Sequence, residues 1–196
     1  MANPIIRGFR GIARFSGRDA RGQFWPYAGV VFALVFLGFG TVMSLVMNSM
    51  FSEMQAFAVA HPEAATIQSS PGNYSISIDA SHPEAPMPDL GPFFAVMAAM
   101  VLTAVSLLAA AVSRRLHDSG RRAFWGLMPV PFLLFGVTAF PVIISQFAAT
   151  EEPNLGLFIL LFFNNLLYLI ALASLIILLA LRGNRGPNRF GPEAVE

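Results

Sequence analysis

The chain has 196 residues, of which 56% are apolar and only 12% are Asp, Glu, Lys or Arg, and it contains no Cys. A water-soluble domain of that size needs more charge on its surface, so the composition belongs to the membrane class, and disulfides, thiolate metal sites and cysteine nucleophiles are excluded. The net charge of +1 averages two segregated sets, because all twelve basic residues are Arg and they lie in different segments from most of the acidic ones.

Residues 1–25 form a basic stretch. On a helix, Ile5, Phe9 and Ile12 fall on one face and Arg7, Arg10 and Arg14 on the opposite face. That pattern predicts an amphipathic helix lying in the membrane interface, with each Arg gaining about 1 kcal/mol against anionic headgroups. Gly8 and Gly11 each weaken helicity by about 1 kcal/mol relative to Ala, so a disordered basic tail is the alternative. Ser16 is placed to N-cap a helix with Asp19 in its first turn, and Phe24, Trp25 and Tyr27 are expected to mark the water boundary.

Four blocks then lack any charged residue or His: Pro26 to Ser52, Leu90 to Ser113, Ala123 to Thr150, and Pro153 to Leu181. Each exceeds the roughly 20 residues a helix needs to cross about 30 Å of hydrocarbon. They predict an all-α integral membrane protein with four transmembrane helices, at 26–52, 90–113, 123–150 and 155–181. Every Arg falls in 1–25, 114–122 or 182–196, whereas 53–89 and 151–154 carry Glu53, Glu63, Asp79, Glu84, Asp89, Glu151 and Glu152 and no basic residue. The positive-inside rule therefore puts both termini in the cytoplasm and exports the two acidic connections. Ala58-Val59-Ala60 resembles a signal-peptidase site, but the apolar block before it is far longer than a signal h-region, so the first helix is expected to stay as an anchor.

In the exported segment 53–89, Tyr74, Ile76 and Ile78 alternate between Gly72 and Asp79, which predicts one short hairpin in otherwise irregular chain. The connection at 151–154 is short enough to make the third and fourth helices an antiparallel pair. No internal repeat supports an inverted-repeat transporter. Pro129, Pro131 and Pro141 are expected to kink or locally break the third helix. Asn48, Gln146, Asn164, Asn165 and Tyr168 are the polar residues within the spans. No ionisable group lies at mid-depth, which argues against a pump, and adjacent Asn side chains read as interhelical glue at about 0.6 kcal/mol each.

Two cytoplasmic motifs stand out. Arg114-Arg115-Leu116-His117-Asp118, followed by Arg121-Arg122 and Trp125, supports two readings. One is an anion or headgroup site, with guanidinium forks as clamps and His117, oriented by Asp118, as proton donor. The other is topological, with arginines obeying the positive-inside rule, His117 and Asp118 capping and pairing, and Trp125 anchoring the third helix. The second motif, Arg182 to Pro192, alternates Gly, Asn, Arg and Pro; Gly183 is placed to end the fourth helix, and the segment lacks a Walker pattern.

The run from Phe15 through Arg18 and Arg21 to Phe24-Trp25, the Arg114–Asp118 motif, and Gly186-Pro-Asn188-Arg189-Phe190-Gly191-Pro192 occur in that order at membrane boundaries. In this the chain resembles the bacterial inner-membrane family called domain of unknown function 805, over about residues 13–192. Arg121-Arg122-Ala123-Phe124-Trp125 replaces the Ser-Gly-Trp-Trp-like run of the family, and the exported segment is longer. The resemblance implies location and architecture, and no activity.

The residues expected to bind anions or headgroups are Arg18, Arg21, Arg114, Arg115, His117, Asp118, Arg121, Arg122, Asn188 and Arg189, with Phe24, Trp25 and Trp125 as interface anchors. The leading expectation is a non-enzymatic protein whose basic cluster engages anionic membrane lipids or a membrane partner, including a second copy of itself. No catalytic residue, metal ligand set, cofactor or nucleic-acid partner is expected. The rivals are an enzyme acting on a lipid or polyprenyl phosphate at His117 and Asp118, and a small channel or transporter beside Asn164 and Asn165.

Overall fold

The computed structural model describes residues 3–79, 81–86, 89–149 and 154–194, with backbone alone at 147–149. In chain order the elements are α1 (Pro4–Arg10), α2 (Arg21–Ala60), β1 (Ala65–Ser70), β2 (Asn73–Ile78), α3 (Gly91–Asp118), a short 3-10 helix (Ala123–Leu127), α4 (Val130–Ala149) and α5 (Leu155–Ala180). Four helical segments, Arg21–Ala60, Gly91–Asp118, Ala123–Gln146 and Leu155–Ala180, are long and apolar enough to cross a membrane. Large apolar side chains such as Phe32, Leu37, Leu45, Phe162 and Ile177 stand exposed along them, a surface that water does not tolerate at this extent.

Several boundaries differ from the sequence expectation. Helix α2 runs on to Ala60, absorbing the start of the 53–89 segment, and α3 continues past Ser113 through both arginines to Asp118. The charges do not end α3 because Leu116 is fully buried and the guanidiniums find partners there. Ser16 does not cap α2. The helix opens at Ala20, whose N–H donates to Gln23 Oε1 at 3.2 Å, half of a capping box, while Asp19 turns its side chain to arginines. Among the three prolines of the third span, Pro129 precedes α4, Pro131 lies in its first turn where a missing N–H costs nothing, and Pro141 alone is interior. Within 151–154 only Asn154 lies among the described residues; its side chain accepts the Leu157 N–H at 3.1 Å and caps α5.

The chain divides into two compact units, residues 1–36 with 98–196, and residues 37–97. In the first, Phe24, Tyr27 and Val31 of α2, Ala111 and Leu116 of α3, and Leu175 and Leu179 of α5 form the core. Phe24 and Tyr27 are therefore not water-boundary anchors. Both are buried, and the Tyr27 hydroxyl donates to the Leu107 carbonyl at 2.7 Å. Trp25 and Trp125 are 40% and 47% exposed. Helix α1 is shorter than the amphipathic stretch, leaving Ile12 outside it, and Gly8 lies against the Tyr27 ring, where a Cβ would come within 2.2 Å. The glycine that disfavours a helix is what lets α1 rest on α2. Helices α4 and α5 pack together, and Asn164 Nδ2 donates to the Phe132 carbonyl at 3.0 Å, the interhelical role expected of it. Asn165 is exposed.

In the second unit β1 and β2 form an antiparallel hairpin with Ile67 opposite Ile76 and Ala65 opposite Ile78. Pro71 and Gly72, the latter at φ +83°, occupy the two turn positions, as a type II turn requires. Ile76 and Ile78 are half-buried while Ser75 and Ser77 are exposed, so the predicted alternation holds at these positions, whereas Tyr74, expected on the same face, is exposed. At the base, Asp79 Oδ1 accepts from the Ser81 hydroxyl at 2.7 Å and from its amide at 2.9 Å, which holds the Asp79 carboxyl below its ordinary pKa. A depressed folded-state pKa contributes stability above the unfolded value near 3.9, lost as pH falls through the folded value. The Ser81 amide shift followed by NMR is accordingly expected to stay constant at neutral pH and titrate only in the acid limb, and a midpoint at or above the ordinary Asp value would remove this bond from the account.

Candidate functional site

The sequence places Arg and Asp at the ends of three segments, and the first unit brings them together. Arg114 Nε donates to Asp19 Oδ2 at 2.6 Å, and its Nη1 donates to the Gly11 and Arg14 carbonyls at 2.7 and 2.5 Å. Arg7 Nη2 reaches Asp19 Oδ1 at 3.0 Å, so Asp19 is held between two arginines. Asp118 is held the same way. Its Oδ1 accepts from Arg18 Nε and Nη2 at 3.1 and 3.0 Å, and its Oδ2 accepts from Arg115 Nη1.

The remaining donors of these guanidiniums go to carbonyls. Arg18 reaches Gly186 at 2.8 Å and Asn184 at 2.6 Å; Arg115 donates to Leu179 at 2.8 Å and to Leu181. Leu179 and Leu181 lie at the C-terminus of α5, whose last carbonyls lack helical partners and carry the negative end of the helix dipole. Arg115 supplies the cation and the donors that terminus needs. Arg115, Arg114 and Arg18 are only 1%, 4% and 5% exposed, and among the described residues no buried side-chain nitrogen or oxygen lacks a partner. A buried ionic network in which every member is satisfied is specific and stiff.

Two further contacts close the arrangement. Asn188 Nδ2 donates to the His117 carbonyl and Arg189 Nη2 to the Gly120 carbonyl, both at 3.0 Å. The His117 ring stacks on Phe190 at 3.9 Å and 7°, with its Nδ1 3.2 Å from the Gly17 carbonyl, and the Arg189 guanidinium lies 4.7 Å from the Phe190 ring centre. The N-terminal segment, the end of α3 and the tail after α5 are thus one folded cluster.

This geometry changes the roles read from sequence. Arg18, Arg114 and Arg115, expected as anion clamps, are engaged by carboxylates and carbonyls inside the protein, and Arg18 and Arg114 also line the neighbouring cleft. Asp118 does not orient His117; it is committed to Arg18 and Arg115, and His117 turns instead to Gly17 and Phe190. Arg114 pairs with Asp19 rather than with His117 or Asp118. Of the other cations, Arg122, Arg182 and Arg185 are exposed and Arg21 and Arg121 half-buried. Arg121 makes only a 3.5 Å contact to the Ser119 carbonyl, and Arg21, Arg122, Arg182 and Arg185 form no ion pair among the described residues. Beside the cluster lies a cleft of about 450 Å³ whose walls include Arg7, Arg10, Arg14, Ser16, Phe190 and the carboxylate-bearing Glu193. Arg10 and Arg14 have exposed side chains and no carboxylate partner among the described residues.

Sequence reasoning missed two features. It named neither Asp19 as the second bridging carboxylate nor the tetrapeptide His-Pro-Glu-Ala, which occurs twice, at 61–64 and 82–85. The hairpin stands between the two copies and pairs Ala65 with Ile78, so the copies meet at its base. The duplication is legible in the sequence, although four residues are too few to form a structural repeat unit.

The described residues thus form a mostly helical protein with four helices long and apolar enough to cross a membrane and a buried Arg–Asp network built on Arg18, Asp19, Arg114, Arg115 and Asp118. The family model described as protein of unknown function (DUF805) matches residues 12–192, and the chain belongs to that family. No curated protein and no solved structure matches it.

Proposed function

We propose that this chain is a non-enzymatic inner-membrane protein with both termini in the cytoplasm, whose basic face binds the phosphates of anionic lipid headgroups. The observation that carries this reading is the division of labour among the arginines. One set is buried, with Arg18, Arg114 and Arg115 sharing the carboxylates of Asp19 and Asp118, while Arg10 and Arg14 line the cleft with no carboxylate partner among the described residues. Cations left without carboxylates at the end of apolar spans are where headgroup phosphates lie, and the positive-inside rule supports the orientation. The exposed Trp25 and Trp125 fit the same depth. The Asp118 carboxylate is engaged by Arg18 and Arg115 and the His117 ring by Gly17 and Phe190, which favours a structural role for the pair over a hydrolytic one.

At about 1 kcal/mol per Arg, an Arg10→Ala, Arg14→Ala double variant is expected to lose about thirtyfold in preference for phosphatidylglycerol over phosphatidylcholine. Native mass spectrometry of the chain released from mixed nanodiscs reads this directly. Equal retention of phosphatidylglycerol by the variant and the parent would sink the proposal. Retention of lipid with loss of a co-purifying protein would move the cleft to a protein partner. Reporter fusions to each terminus test the orientation independently.

A further inference from the structure

The two His-Pro-Glu-Ala copies meet with their side chains crossed. His61 Nε2 lies 3.1 Å from Glu84 Oε2, and His82 Nε2 lies 3.9 Å from Glu63 Oε1, so each histidine faces the glutamate of the other copy. His61 Nδ1 is also 3.3 Å from Glu63 Oε1, and the two imidazole centres are 4.9 Å apart. One ligand atom from each of His61, Glu63 and His82 falls within 4.8 Å of the others. Phe57, itself buried, stacks on His61 at 4.7 Å and meets His82 edge-on at 5.6 Å, walling one side of the group with an apolar surface.

The geometry points to a divalent metal site of the zinc class built by this duplication, with His61, His82 and Glu63 as ligands, water in the fourth position, and Glu84 behind His61. Two imidazoles and a carboxylate suit a borderline ion such as Zn²⁺, and three protein ligands leave one coordination position open. Glu84 accepting from His61 Nε2–H sets the tautomer that presents the Nδ1 lone pair, the carboxylate–histidine–metal arrangement that fixes ligand rings. Ligands about 2.1 Å from a tetrahedral ion stand about 3.4 Å apart, so the group contracts by about 1.4 Å at its widest on loading. The exposed Glu63 side chain has the freedom to supply that movement. His82 exchanges its hydrogen bond from the Glu84 amide, long at 3.3 Å, for the metal, carrying its proton on Nδ1. The Pro between each His and Glu limits the backbone, and the hairpin register supplies the juxtaposition. The ion closes the base of the hairpin by joining the segment after α2 to the segment after β2.

The test uses the full chain in detergent, purified without a histidine tag and stripped with chelator. Equilibrium dialysis against micromolar Zn²⁺ with elemental analysis is expected to return one zinc per chain. The His61→Ala, His82→Ala double variant is expected to retain none. Glu63→Gln, which preserves side-chain size and so spares the hairpin, should lose at least tenfold in affinity, and Glu84→Gln tenfold to a hundredfold. Co²⁺ should give the intense visible bands of a tetrahedral site on the parent only. Zinc absent from the parent, or bound equally by the parent and the double variant, overturns the inference, and the second result marks the ion as adventitious.

Discussion

Replacing Asp118 with Asn is expected to destabilise the protein by about 3–5 kcal/mol, the usual result of removing one partner from a buried ion pair. The substitution keeps the side chain's shape and removes only its charge. Arg18 and Arg115, both almost wholly buried, then face one another across a neutral amide. Their remaining bonds go to carbonyls at Asn184, Gly186, Leu179 and Leu181, which orient the guanidiniums but carry no net charge. Reversible unfolding in mixed micelles, compared with Asp19→Asn, measures the loss. The Asp19 variant is expected to lose less, because its second partner, Arg7, has a side chain 45% exposed that water can solvate. A loss below about 1 kcal/mol at Asp118 would show that the network carries little of the fold, and would return Arg18 and Arg115 to the pool of arginines available to a ligand.

Gly183→Ala is expected to cost about 1–3 kcal/mol through overpacking alone. Gly183 is absent from the glycines with positive φ, so its backbone suits Ala and the cost is steric. A Cβ there would lie 2.1 Å from Asp118 Oδ2 and 2.7 Å from its Cγ. A free carboxylate would swing aside. This one is gripped by Arg18 on one oxygen and Arg115 on the other, and yielding breaks both pairs. The two sites must therefore couple. In a double-mutant cycle with Asp118→Ala, the second substitution removes the atoms that the new methyl strikes, and the combined loss should fall short of the sum by about 1 kcal/mol or more. Simple additivity would mean that the tail moves away from α3 without resistance, and that the buried network does not hold it.

The glycine also bears on what was readable beforehand. It was expected to end the fourth helix, but α5 closes at Leu181, two residues earlier, and Gly183 does not adopt the positive φ of a glycine cap. Nothing in one sequence marks it as the place where a carboxylate from α3 comes to rest. Arg114 was likewise singled out, but its partner Asp19 is 95 positions away, and a sequence carries no sign of which distant carboxylate a given arginine will find. The opposite holds for the His-Pro-Glu-Ala copies, since both the duplication and the hairpin between them are local. Had the two been read together, the meeting of His61 and His82 followed from strand register.

What the sequence determined by itself was the number of membrane-length helices, the hairpin and the segregation of arginine from acid along the chain. All three are properties of contiguous residues: hydrophobic length, period-two alternation and charge order act over a few turns of chain and need no distant contact. Tertiary structure alone decided which arginines are withdrawn from solvent and which stay outward, that Phe24 and Tyr27 are core rather than boundary, and that Asp118 serves two guanidiniums rather than His117. The physical reason is desolvation. A guanidinium can be buried only where carboxylates and helix-end carbonyls converge on it, and that convergence exists only once residues 7–19, the end of α3 and the tail after α5 have folded together.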